Sequence, residues 1–170
     1  ASYRKKYKVY AEAEKAGLMP LDLSIISDQV KQIKTLAPDS LVILFPHWGD
    51  NYQWCDQTQI NLTDDLFTCG VDLIIGHGAH MIQEFEKRDH NLVLYSIGNF
   101  MFHSPGRYQK MQAPPYSAIA SLSVQIVNDK IDIQLKLYPI VSDNKITNYQ
   151  PQFVSKSEFN NLCERFFQRK

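Results

Sequence analysis

Two histidines three residues apart, His77 and His80 in Gly76-His77-Gly78-Ala79-His80, are the side chains of this sequence best placed to do chemistry. They follow a short apolar run, and the glycines let the backbone fold tightly enough for two neutral imidazoles to converge on one cation; zinc, manganese and iron all suit such ligands. The same pair can equally be loop histidines ahead of a helix beginning near Met81. A third histidine, His47 in Pro46-His47-Trp48-Gly49-Asp50, ends another apolar run, where open α/β sheets place ligands. Standing alone, it suits a structural role as well. Asp50 could offer a carboxylate to a metal or cap the following turn, and the turn is the preferred reading. Asn99, in Tyr95-Ser96-Ile97-Gly98-Asn99-Phe100, could present its carbonyl oxygen to a metal, orient a ligand histidine, or tolerate left-handed backbone. Phe100 and Phe102 read as core, His90 and His103 as solvated loop residues.

Other catalytic schemes lack their parts. The sequence has no GxSxG elbow, P-loop, GxGxxG or HExxH. Cys55 could pair with His47 as nucleophile and base, but nothing nearby would activate the thiol. The three cysteines, Cys55, Cys69 and Cys163, have neither CxxC nor zinc-finger spacing and read as buried or free thiols. Lys plus Arg and Asp plus Glu both number 18, so no net field draws the chain to nucleic acid or an anionic membrane. No apolar run approaches the roughly 18 residues of a membrane span. The chain opens without Met inside an apparent helix, and the expectation is that an upstream segment has been removed.

The elements that must position these residues are legible as patterns. Tyr3 to Ala16 reads as a charged helix ending near Gly17. Leu23 to Ala37 reads as a second helix, with Leu23, Ile26, Val30, Ile33 and Leu36 as an apolar stripe calling for a sheet beneath it. SLVILFP reads as a strand buried on both faces, delivering its end to His47. Asp56 to Cys69 reads as a helix closed by Gly70, and VDLIIG as a buried strand ending at His77. EFEKR and NLVLYSIGNF make a hairpin through Asp89, His90 and Asn91; SAIASLSVQIV and KIDIQLKLYPI make another through Asn128-Asp129. Ser155 starts a last helix running to Lys170, with Glu158 at its capping-box position. Two helix-strand units plus antiparallel hairpins predict an α/β fold, layered as in α+β proteins, with sheets flanked by helices rather than a wholly parallel doubly wound sheet.

Taken in order, HWGDNY, a helix, GVDLIIGHGAHMIQEFE, a hairpin and LVLYSIGNFMF resemble the bacterial capsule-synthesis (poly-gamma-glutamate) protein family of the CapA and PgsA type, over Leu41 to about Phe102. That family is similar in fold to calcineurin-like metallophosphoesterases. The resemblance implies that residues 1–170 form one domain, the C-terminal part of such a unit and incomplete at its N-terminus. It implies metal ligation by His47, His77 and His80, catalysis by His47 and His80, and a site lined by Asn99 and Asp50. It implies one or two divalent ions, manganese, zinc or iron, with the remaining ligands upstream, and an anionic capsule polymer or a phosphoester as substrate. Polymer-synthase subunits are expected partners, and the cell envelope the expected compartment. Two alternatives stand beside a hydrolase or transferase: a non-catalytic assembly factor of a polymer synthase, and a general metal-dependent phosphoesterase. Ala79 stands where the family usually has Pro, and the family's early Gly-Asp, Glu and Asn-Asn-His motifs have no counterpart here. Without their oxygen ligands this chain alone is expected to bind metal weakly and not to catalyse.

Overall fold

The computed structural model describes residues 9–88, 90–103, 105–127 and 130–166. Asp22 opens α1 (Leu23–Leu36) by accepting the backbone N–H groups of Ser24 and Ile25, relieving two of the donors a helix start leaves unpaired. After β1 (Ile43–Leu44), Asp56 and Gln59 form a reciprocal capping box that starts α2 (Gln57–Thr68), which Gly70 closes at φ 102°. Then come β2 (Leu73–Ile75), the hairpin β3 (Phe85–Arg88) and β4 (Asn91–Leu94), and the short α3 (Arg107–Met111). The long β5 (Tyr116–Val127) and β6 (Lys130–Val141) follow, then α4 (Asn144–Thr147), β7 (Gln152–Phe153) and α5 (Lys156–Phe166).

The fold is α/β, as the alternating patterns predict, and its layers are built by the two faces of one sheet. Strands β1, β2 and β4 are parallel and β3 joins β4 antiparallel, in the order β1-β2-β4-β3. One face buries Leu44, Ile74 and Val93 against Ile26 and Val30 of α1 and Leu66 of α2. Each such side chain contributes about 1.5–3 kcal/mol on burial. The other face, with Leu73, Ile75 and Leu94, packs on Ala120, Leu122, Leu135 and Leu137 of a second, antiparallel sheet ordered β5-β6-β7. Leu162 of α5 closes a smaller cluster with Ile82 and Ala118. Ser155 and Glu158 form the expected capping pair, the carboxylate accepting from Ser155 N at 2.8 Å.

Four expectations need correction. The segment Val9–Leu18 is not helical: Leu18 N–H bonds to the Val9 carbonyl and Ala11 N–H to the Leu18 carbonyl, in a tight loop that Gly17 permits by lying against the Tyr10 backbone. It had charge and helix formers but no apolar face to bury, so propensity alone did not decide it; the rest of the expected Tyr3–Ala16 helix lies outside the described residues. The SLVILFP run is not buried on both faces. Its ladder is only Ile43–Leu44 at one end of the sheet, and Phe45 is 53% exposed. The α1 stripe is used over its first half, with Ile26 and Val30 buried but Leu36 87% exposed. Phe100 and Phe102 are not core: they are 56% and 48% exposed, on the loop that follows β4. The Asp89 and Asn128-Asp129 turns and the end of the last helix, residues 167–170, lie outside the described residues.

Candidate functional site

Strand register brings the first two histidines together. The pairing Ile43↔Leu73 and Leu44↔Ile74, carried past the ladder, sets His47 opposite His77 in an isolated parallel bridge. Backbone bonds from His77 N to Pro46 O (3.0 Å) and Trp48 N to His77 O (2.9 Å) hold them there. Their Nδ1 atoms are 3.1 Å apart, so one ring donates to the other and a single proton lies between them. Burial lowers the His77 pKa, favouring the neutral ring that a cation would require.

Glycine makes the approach possible. A Cβ on Gly76 would lie 2.1 Å from the Tyr95 carbonyl oxygen and 2.4 Å from Trp48 Nε1, in the place where that indole donates to Tyr95 O at 2.7 Å. Gly78 has φ 117° and passes against the Trp48 backbone and the His47 ring.

His80 stands apart from that pair. It is one of the few non-glycine residues with positive φ, 64°, and its ring lies between Tyr52 (centroids 5.4 Å) and Phe102 (4.7 Å). Its Nδ1 is 2.9 Å from Asn99 Oδ1, while Asn99 Nδ2 points to the Tyr108 hydroxyl at 3.4 Å. With the amide so oriented, His80 Nδ1 carries the hydrogen and donates, leaving the Nε2 lone pair free to bind or move a proton.

Behind His80 and Asn99 runs a chain of hydroxyls whose direction follows from its ends. Tyr108 must donate to the His80 carbonyl (2.7 Å), so it accepts from Ser142 (2.8 Å). Ser142 in turn accepts from Ser117 (2.8 Å), and Ser117 accepts the Asn99 backbone N–H (3.0 Å). The two backbone positions are thus tied through three side chains, and burial raises the Tyr108 pKa, keeping its proton in place. Sequence reasoning missed Tyr108, Ser117 and Ser142; none stands in a motif, and no local signal marked them.

The remaining candidates fall elsewhere. Asp50 is exposed, its carbonyl accepting Gln53 N–H in a turn, and it lines a smaller separate cavity with Trp48 and Gln59. His90 and His103 are exposed, and Cys55 is buried; all three cysteines are free thiols. Among the described residues no group of three or more His, Cys, Asp or Glu is placed to hold a metal, so His47 and His77 come together without His80 or a carboxylate. No helix there is long and apolar enough to cross a membrane.

Residues 1–104 match the family described as bacterial capsule synthesis protein PGA_cap. The chain is 28% identical over 95 residues to a capsule biosynthesis protein CapA of Bacillus anthracis, covering 54% of this chain and 23% of that protein. It is 29% identical over 93 residues to a PGA biosynthesis protein CapA of Bacillus subtilis (strain 168), covering 54% and 24%. The chain spans about a quarter of the length of these relatives.

Proposed function

This chain belongs to the bacterial capsule synthesis family PGA_cap, and from that membership we propose that it supplies the histidine side of a divalent-metal centre in a protein that builds or turns over an anionic capsule polymer. The observation that carries the reading is the 3.1 Å between His47 Nδ1 and His77 Nδ1 at matched strand ends. Two imidazoles on one tetrahedral zinc, each at about 2.0–2.1 Å, have nitrogens about 3.3 Å apart, so a shift of a few tenths of an ångström admits an ion in place of the shared proton. The fit is partial: the pair supplies nitrogen donors, and no oxygen donor joins it among the described residues. Manganese, zinc or iron bound there would act as a Lewis acid toward a carbonyl or phosphoryl oxygen.

The chain's own residues supply the rest. His47 and His77 hold the ion's nitrogen face. His80, fixed by Asn99 and Tyr108, presents Nε2 to accept or deliver a proton at the reacting bond, whether a gamma-amide or a phosphoester. The second reading, an assembly factor without catalysis, is favoured by one observation: among the described residues no carboxylate joins the histidines.

Manganese, zinc and iron content of the purified full-length protein, measured by elemental mass spectrometry beside His47→Ala and His77→Ala, tests the centre. Bound metal lost in both variants is the expected result. No metal after reconstitution of the full-length protein would overturn the metal centre and leave the assembly role.

A further inference from the structure

The long β5-β6 hairpin has two open edges, and only one of them is guarded. The order β5-β6-β7 leaves β5 at the border of its sheet, paired with β6 from Tyr116↔Val141 to Val127↔Lys130 without a bulge. At the start of β5 the outward backbone groups are taken: Tyr116 O accepts the Ile82 N–H, and Ala118 N–H donates to Ile97 O. The period of two turns the N–H and C=O of Ala120, Leu122, Val124 and Ile126 the same way. Among the described residues none of these groups has a backbone partner. Edges of this length are ordinarily blunted by charge, proline or a bulge. The other edge obeys that rule: β7 pairs with β6 only at Ile140 and Val141, and the rest of β6 carries Asp132, Lys136 and Pro139. Residues 116–127 contain no charged residue, no proline and no glycine.

The unguarded strand is complementary to itself. Its even-numbered side chains form the face that the first sheet covers at Ala120 and Leu122 and leaves open at Val124 and Ile126, which are 48% and 79% exposed. Ile119, Ser121, Ser123, Gln125 and Val127 form the other face. A second β5 laid antiparallel about a two-fold axis at Ser123 sets Leu122 against Val124, Ala120 against Ile126 and Ile119 against Val127. The same axis sets Ser121 against Gln125 and Ser123 against itself. Apolar meets apolar and polar meets polar on both faces, while Ala120, Leu122, Val124 and Ile126 satisfy one another's outward groups. Moving the axis by one residue sets Ile119 against Gln125 in one direction and Ser121 against Val127 in the other. A two-fold also brings like charges together, which a strand without charge avoids. The overhanging Val124 and Ile126 then lie beside the stretch of the second copy that its own first sheet covers.

We propose that β5 is the seam of a two-fold dimer in which a second copy of this chain docks edge to edge, making one continuous antiparallel sheet. Its outer borders are the charged β6 strands and the short β7, so the assembly closes at two. The seam uses none of the histidines and stands apart from the metal-centre reading.

Sedimentation of the purified full-length protein is expected to show a dimer, and Ser123→Cys tests the register. The axis puts the two copies of residue 123 directly opposite in a pair without hydrogen bonds, Cα atoms about 4.5 Å apart and within disulfide range. That variant should oxidise to a covalent dimer. Ser121→Cys, whose two copies lie four residues or about 13 Å apart along the seam, should not; wild type with its own three thiols gives the background. Ser123→Lys and Ser123→Glu, both at an exposed side chain, should each weaken the dimer about threefold, and mixing them should restore it as a heterodimer. Val124→Pro removes an outward N–H and leaves the β6 ladder intact, so it should weaken the dimer about tenfold with an unchanged circular dichroism spectrum. A monomeric full-length protein, equal cross-linking at positions 121 and 123, or a dimer indifferent to charge at position 123 would overturn the seam. Slow amide exchange at Val124 and Ile126 in a monomer would give the edge to another segment of the same protein and overturn it too.

Discussion

Replacing Tyr108 by Phe removes one oxygen from a chain of hydroxyls in which every hydrogen already has an acceptor. The His80 carbonyl then loses its 2.7 Å donor, and Ser142 loses the acceptor it held at 2.8 Å. Ser142 could turn back to Ser117, but Ser117 would then have to give up donating to Ser142, so one hydroxyl hydrogen stays unpaired whichever way the chain reorients. Asn99 Nδ2 also loses its long 3.4 Å contact, which solvent can replace because Asn99 is half-buried; the two remaining unsatisfied groups at about 1–3 kcal/mol each, offset in part by the more apolar ring, leave a net loss of about 2–4 kcal/mol. For a chain of this size that lowers Tm by roughly 5–15 °C. Urea unfolding should show the same loss as a lower midpoint at unchanged m-value. Because the hydroxyl ties His80 to Asn99, the ¹⁵N spectrum of His80 should also lose its single-tautomer signature, with the Nδ1-protonated form giving way to a mixture. A Tm within about 2 °C of wild type and an unchanged tautomer would refute both the accounting and the positioning role.

Three further outcomes follow from local geometry. Gly76→Ala puts a methyl into the contact between Trp48 and Tyr95, and overpacking plus loss of the indole hydrogen bond should cost about 3–5 kcal/mol, read by chemical denaturation. Tyr95→Phe should change stability by no more than about 1 kcal/mol: among the described residues the buried Tyr95 hydroxyl makes no well-formed hydrogen bond, Thr63, which donates to the Gln59 carbonyl, offers it at most a weak acceptor, and burial raises the phenol's pKa. A loss of more than 1 kcal/mol in that variant would reveal a partner. The Ser155 hydroxyl and backbone N–H hold the Glu158 carboxyl below its ordinary 4.5. Its contribution to the start of α5 is therefore present above that pH and lost as pH falls through the lower folded value. Helical circular dichroism between pH 6 and 3 should decline more in wild type than in Glu158→Gln, and parallel curves would contradict the cap.

What could be read along the chain was whatever neighbours in sequence decide. The Ser155 cap, the start of α2 at Asp56, the Gly70 stop, the all-apolar Leu73–Ile75 strand and the two hairpins depend on residues a few positions apart, and their physics is local. The placing of His47 and His77 at strand ends was legible for the same reason. That Asn99 could orient a histidine was an open alternative; its bond to His80 depends on positions 19 apart.

Tertiary structure decided the rest, because the deciding partner was distant. His47 faces His77 through a strand register spanning 30 residues, and the Tyr108–Ser142–Ser117 chain joins three elements that no spacing relates. Burial obeyed coverage rather than hydrophobicity. Ala120 and Leu122 are covered by the first sheet, while Val124, Ile126, Ile131 and Ile133, equally apolar and on the same face of the same hairpin, extend past it into solvent. Phe45, Phe100 and Phe102 failed as core for that reason too: an apolar side chain is buried only where another layer reaches it, and periodicity says which way a residue points but not how far the covering layer extends.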